Sequence, residues 1–310
     1  EEIQRLNNAV ENIRSTYIWV VFALGFPGNI FCIITVLTMQ NVTPATFFVS
    51  LLAFCDGCTL VVKLVYHQIF KHGMHLGSVG CKMAFLPLFF STLANWVLVL
   101  ICAERFISVC FPLKKTYIVT KRRSYICAGV LSVVLLVMWS LLYGVMRDQD
   151  VSGLHCGTFD EYLVFWKNWW YWINAFLFLF LPFPCIVVLT AFIIRGLAVS
   201  RSDRRSIMRS SSKAKDGNRR LMEEAERLER NITIMLILAA VIFLILSLPG
   251  CIYVLMYSDS NDDLKRAKWE LFSQIQHVLS DSSHAVNFFL YFFSAQRFRA
   301  HFFSILMCKR

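Results

Sequence analysis

Seven stretches of mostly apolar residues, near 17–39, 46–68, 84–110, 124–146, 170–197, 231–257 and 270–293, recur along the chain. Each is close to the roughly 20 residues a helix needs to cross a bilayer. With 57% hydrophobic residues and 28 phenylalanines among 310, the chain has more apolar surface than one soluble core could hide. Lipid is the solvent that accommodates it. Hydrocarbon cannot satisfy free backbone groups, and no alternating pattern of about ten residues suggests a barrel, so the spans must be helices. The expected fold is all-α, a seven-transmembrane helix bundle followed by a short amphipathic cytoplasmic helix.

Lysine and arginine set the expected orientation, because short loops rich in them stay cytoplasmic. Lys114, Lys115, Lys121, Arg122 and Arg123 follow span three, eleven more lie between Arg195 and Arg230, and Arg297, Arg299, Lys309 and Arg310 come after span seven. These are 20 of the 31 basic residues. The reading is one domain: an extracellular segment 1–16, a bundle 17–293, a third inner loop and span-six extension 198–230, and an amphipathic helix and tail 294–310. Within the inner loop, 200–217 is expected to lack structure, and 219–230 to be helical through Glu223/Arg227 and Glu226/Arg230 at i,i+4 spacing. The net charge of +11 suits anionic headgroups. The basic residues flank hydrophobic spans without an interleaved stacking platform, which argues against nucleic acid.

Of eleven cysteines, only Cys81 and Cys156 fall on the outer side. In an oxidising compartment such a pair should bridge, contributing about 4 kcal/mol by the chain-entropy model. Cys308, past the last span, is a candidate for palmitoylation as well as a plain thiol.

Glu104-Arg105-Phe106 closes span three, with Pro112-Leu113 shortly after. Charge at a membrane boundary costs a few kcal/mol, so this acid and this arginine need partners. Asp56, deep in span two, needs them equally.

The order of these motifs resembles the rhodopsin-like (class A) G-protein-coupled receptors over nearly the whole chain. Gly28-Asn29, Leu52-Ala53-Phe54-Cys55-Asp56, Glu104-Arg105-Phe106 with Pro112-Leu113, Pro182, Phe243 with Pro249, and Asn287-Phe288-Phe289-Leu290-Tyr291 occur in that family's sequence. The ending, 287–303, is most similar to invertebrate neuropeptide receptors of the FMRFamide and myosuppressin type. The chain departs from the family at Ser247, where a tryptophan is usual, at Thr190, where a tyrosine is usual, and in span four, where Trp139 lies two turns late.

The resemblance implies an activation switch of Asn29, Asp56, Glu104, Arg105, Pro182, Glu229, Phe243, Pro249, Asn287 and Tyr291. Arg105 would pair with Glu104 and with Glu229 in the inactive state, and would expose itself and Leu113 to a heterotrimeric G protein in the active one. The bland alternative is a solvated ion pair at a helix end. Asp56 would be partnered by Asn29, Asn287 and water. No obligate cofactor is implied. The family's allosteric sodium pocket matches at Asp56, Asn29 and Asn287, but Ala94 replaces a serine and His284 intrudes. Spans two and seven are neighbours in such a bundle, so Lys63, two turns beyond Asp56, and Asp281, nearly two turns before Asn287, should form an ion pair at the pocket floor.

Pro87 stands where amine receptors carry an aspartate, and Asp281 where opsins carry their lysine, so amines and retinal are poor ligands. Outer acids at Asp148, Asp150, Asp160, Glu161, Asp259, Asp262, Asp263 and Glu270 favour a cationic ligand. An amidated extracellular peptide is expected, descending among Lys63, Tyr66, His67, Phe85, Phe89, Trp172, Tyr253, Gln274, His277 and Asp281. For each aromatic taken singly, helix packing is the ordinary role. A chemosensory receptor for environmental small molecules is the alternative, and an ion-coupled transporter a more distant one, since no internal repeat is visible. The seven histidines form no zinc motif, and neither a nucleophile elbow nor a phosphate loop is present. Enzymatic chemistry is therefore not expected, and the expected location is the plasma membrane, with the amino terminus outside.

Overall fold

The computed structural model describes residues 1–38, 43–74, 77–148, 156–210, 216–256 and 262–294, with isolated positions beyond, and describes only the backbone over 199–232. The long helices are α1 (Glu2–Leu37), α2 (Pro44–Lys71), α4 (Leu86–Cys110) and α6 (Lys121–Gly144), with short helices α3 (Gly77–Met83) and α5 (Pro112–Ile118) between them. A hairpin follows, β1 (Met146–Asp148) with β2 (Cys156–Thr158), in the register Arg147 opposite Gly157. A 3₁₀ turn at Asp160–Tyr162 then leads through α7 (Leu163–Phe165), a π turn (Trp166–Trp170), α8 (Tyr171–Ala175) and a second π turn (Phe176–Phe180) into α9 (Pro182–Ser210). The last two long helices are α10 (Asp216–Met256) and α11 (Asp263–Ser294).

Helix boundaries follow local chemistry. Thr43 caps α2 through a capping box with Thr46, and Pro44 occupies the first helical position, where a missing N–H costs nothing. Thr120 caps α6 by accepting from Arg123 N at 3.4 Å. Span three enters the bundle in two pieces, α3 and α4. Pro87 has no N–H to return to Met83, so the helix breaks just before it.

Polarity runs inside out. Asn29, Asp56, Asn95, Glu104, Arg105, Asp281 and His284 are buried, while Val130, Val133, Val134, Val137 and Leu141 of α6 are exposed. Water would reverse that arrangement, and lipid permits it. Among the described residues, six helical segments are long and apolar enough to cross a membrane, which makes the chain a multi-pass membrane protein. The 32-residue α11 is not among the six, because Gln274, Gln276, His277, Asp281, His284 and Asn287 dilute its apolar character. It packs nonetheless against α1, α2 and α10.

The structure refines several expectations. Residues 2–16, expected as an extracellular segment, are helical and form the first four turns of α1, a helix about 54 Å long. There Val10 is buried, while Arg14 reaches Glu270 (3.2 Å) and Lys268 reaches Glu2 (3.3 Å) from α11. The all-helical expectation holds for the described residues apart from one hairpin, whose three-residue strands carry no alternating pattern. The inner segment 200–217 is not structureless throughout, since α9 runs on to Ser210 and α10 begins at Asp216. Extending a helix already nucleated by span five is easy, and serine and arginine are tolerable helix residues. The amphipathic helix expected over 294–310, with Cys308, lies outside the described residues apart from isolated positions.

Close approach of the helices relies on glycine at two places. A Cβ on Gly25 would lie 2.7 Å from Ala285 Cβ, and one on Gly28 would lie 2.9 Å from Phe288 Cβ. These two positions let α1 and α11 come together face to face, and they hold the polar residues of both helices near Asp56.

Candidate functional site

Polar side chains meet at three levels of the bundle. At the centre, Asp56 of α2 is 1% exposed. Its Oδ2 accepts from Asn287 Nδ2 at 2.7 Å, and its Oδ1 lies 2.7 Å from His284 Nδ1. Asn29 does not bond Asp56 but donates to the backbone carbonyl of His284 at 2.9 Å. Here the structure differs from the expected Asp56–Asn29 contact: the intruding His284 takes that place. Ala94, Asn95, Phe243, Ser283 and Asn287 surround a small cavity beside the pair, with room for roughly a single water.

This arrangement is a poor fit for sodium. Hard cations gather about six oxygen ligands, whereas both Asp56 oxygens are engaged, Ala94 contributes none, and Ser283 Oγ is turned to Ser280 O at 2.6 Å.

Two turns outward, Lys63 Nζ of α2 and Asp281 Oδ1 of α11 form an ion pair. Tyr17 of α1 donates to the other oxygen, Asp281 Oδ2, at 3.4 Å. Sequence reasoning missed Tyr17, although its place in the first turn of the expected span one was a usable signal.

Near the end of α4, Arg105 Nε donates to Glu104 Oε2, and Ser108 Oγ donates to Glu104 Oε1 at 3.0 Å. Both members of the pair are 5% exposed, so this is no solvated helix-end contact. Leu113, on α5 just beyond, is 92% exposed. The side chains of Glu229 and Tyr291 lie outside the described residues, although the backbone of α10 and α11 is helical there.

The other residues assigned to the switch are placed as follows. Pro182 is buried at the start of α9, and Phe243 is buried against the cavity. Pro249 interrupts the backbone donors of α10, and Ser247 is buried a half turn before it. Spans three and five are tied by the second π turn, whose carbonyls at Leu177 and Phe178 accept from Trp96 Nε1 (3.0 Å) and Asn95 Nδ2 (2.9 Å). A π register frees such acceptors from the helix ladder.

The expected pocket residues separate into groups. Lys63 and Asp281 are brought together. Tyr66 donates to Gly80 O at 3.2 Å, and Tyr253 stands against Trp269 and Phe272 with ring centroids about 6 Å apart. His67 and Gln274 are half-buried. Phe85 and Phe89, however, are buried in the helix packing, Phe85 against Tyr143 and Phe89 against Phe90. Trp172 and His277 are exposed. Of the outer acids, Asp263 pairs with Arg266 and Glu270 with Arg14, and Asp262 caps α11 through Leu264 N.

Above the bundle, Cys81 of α3 is bonded to Cys156 of β2, with Cα atoms 5.4 Å apart. The hairpin is thereby held against the outer start of span three.

The family model for the 7 transmembrane receptor (rhodopsin family) matches residues 28–291. A probable G-protein coupled receptor of Caenorhabditis elegans is 20% identical, covering 96% of this chain and 70% of its own length. The FMRFamide receptor of Drosophila melanogaster is 23% identical over 98% of this chain, which spans just over half of that receptor (56%). The uracil nucleotide/cysteinyl leukotriene receptor of Rattus norvegicus is 24% identical, covering 93% of this chain and 81% of its own. With its Cys81–Cys156 disulfide, its apolar spanning helices and a family match over most of its length, the chain belongs to the rhodopsin family of seven-transmembrane receptors, which are receptors and not enzymes.

Proposed function

We propose that this protein is a plasma-membrane receptor, amino terminus outside and carboxy terminus in the cytosol, that is activated by an extracellular neuropeptide and promotes nucleotide exchange on a heterotrimeric G protein. In this reading α11 is the seventh crossing, its polar face turned to the bundle and shielded from lipid by α1, α2 and α10. The observation that carries the proposal is the buried Glu104–Arg105 pair beside the exposed Leu113 at the basic, inner end of the bundle. A buried guanidinium held by one carboxylate is a two-state element. When the inner end of α10 moves away, taking Glu229 with it, Arg105 leaves its partner, and Leu113 offers an apolar contact to the G protein.

A peptide is favoured over an anionic small ligand by Lys63. Its charge is matched by Asp281, so a phosphate or carboxylate would have to displace that acid. The names of the relatives point both ways, to the peptide FMRFamide and to uracil nucleotides and cysteinyl leukotrienes.

Cells expressing the receptor would be challenged with amidated neuropeptides, uracil nucleotides and cysteinyl leukotrienes while calcium and cyclic AMP are recorded. A potent peptide response that disappears in Arg105→Ala is the expected result. A response to nucleotides or leukotrienes alone would overturn the peptide assignment, and peptide signalling that survives the loss of Arg105 would overturn the mechanism.

A further inference from the structure

The acid at the centre of the bundle carries its own counter-group. Nδ1 of His284 stands 2.7 Å from Oδ1 of Asp56. At that separation a proton must lie between imidazole and carboxyl, because two bare lone pairs would repel each other. His284 is 2% exposed, and its backbone carbonyl accepts from Asn29 of α1, which places the residue inside the packing of α1, α2 and α11. Asp56 and His284 are the titratable residues that line the adjoining cavity, and on the same two helices Lys63 and Asp281 are matched to each other. Asn29 Oδ1, also buried, accepts no hydrogen bond among the described residues.

We propose that the imidazole of His284 permanently occupies the place where a cation would neutralise Asp56, so that the native receptor has no sodium site, and that removing the ring creates one. A serine at 284 would vacate the ring's volume beside Asp56 Oδ1 and add a hydroxyl oxygen. Together with Asn29 Oδ1 and water, the freed carboxylate then approaches the all-oxygen shell a hard cation takes. This inference does not use the ligand or the G protein, and it stands or falls separately from the signalling proposal.

The test is the unfolding midpoint of the purified full chain in nanodiscs, measured in sodium chloride and in N-methylglucamine chloride at the same ionic strength of about 0.15 M. Wild type should unfold at the same temperature in both salts. His284→Ser should unfold at a midpoint higher in sodium by about 2 °C or more, since an ion that binds only the folded state stabilises it. That difference should vanish in the His284→Ser/Asp56→Asn double variant. A sodium-dependent rise in wild type overturns the proposal, as does a folded His284→Ser protein indifferent to sodium. Should His284→Ser fail to fold, His284→Ala replaces it in the same assay, and the wild-type comparison still decides whether the native chain binds the ion.

Discussion

Lys63 and Asp281 face each other across α2 and α11 as an ion pair, with side chains 23% and 3% exposed respectively. The asymmetry of exposure makes the two truncations unequal. Lys63→Met strands a carboxylate deep in the bundle, whereas Asp281→Asn leaves a lysine whose head can still reach water. Lys63→Met should therefore lower the unfolding temperature more, with a loss on the order of 3 kcal/mol. The double variant should recover part of it, with a coupling of about 1–3 kcal/mol. Additive losses in the thermal unfolding of all four proteins would mean that the two charges act independently.

Glu104 restrains Arg105, and Ser108 in turn restrains Glu104. Replacing the acid by Glu104→Gln keeps shape and removes the charge, so ligand-free nucleotide exchange should rise several-fold. Ser108→Ala removes one neutral donor, worth about 1 kcal/mol, and should raise exchange less. Measuring basal exchange in membranes expressing each variant tests this ranking, and an unchanged baseline in Glu104→Gln would sink it.

A methyl group at Gly25 has nowhere to go. It would meet Ala285 Cα at 2.8 Å, a backbone atom, as well as Leu60 and the Ala285 side chain. Gly25→Ala should destabilise the bundle by about 1–3 kcal/mol. Gly129→Ala on α6, where an added Cβ meets nothing within 4 Å, should leave the unfolding midpoint in place. Equal behaviour of the two variants would show that α1 and α11 are not in the contact described.

Opening the Cys81–Cys156 bridge frees the hairpin from α3. Cys81→Ser and Cys156→Ser should each cost about 2–4 kcal/mol and reduce the amount of receptor reaching the cell surface. The double variant should be no worse than either single one. Surface labelling and thermal unfolding in parallel check this, and a larger loss in the double variant would mean that each cysteine has a role besides the bond.

Much of the architecture was legible along the chain because lipid imposes a one-dimensional rule. Apolar runs of helix-spanning length mark the crossings in the residues themselves, and the positions of Cys81 and Cys156 relative to those runs single them out from eleven cysteines as the bonded pair. Adjacency made the Glu104–Arg105 contact equally readable. Helix register brought Lys63 and Asp281 level, once spans two and seven were taken as neighbours. The stretch 270–293 reads as a span although polar residues facing the interior dilute it, and α11 is the long helix found there, outside the six apolar enough to cross a membrane. The hairpin was invisible, since six residues of strand held by one disulfide leave no periodic pattern.

Sequence alone thus determined that the chain is a bundle of membrane-crossing helices with a disulfide at one end and an acid–arginine motif closing span three, because each of these depends on local composition and on the order of residues along the chain. Only the tertiary structure decided which polar groups satisfy one another. That His284 rather than Asn29 bonds Asp56, that Tyr17 joins Asp281, and that Phe85 and Phe89 are buried in helix packing depend on the rotation and closeness of helices far apart in the chain. Those are set by the packing of many side chains at once, at contacts such as Gly25 against Ala285, and no single stretch of residues encodes them.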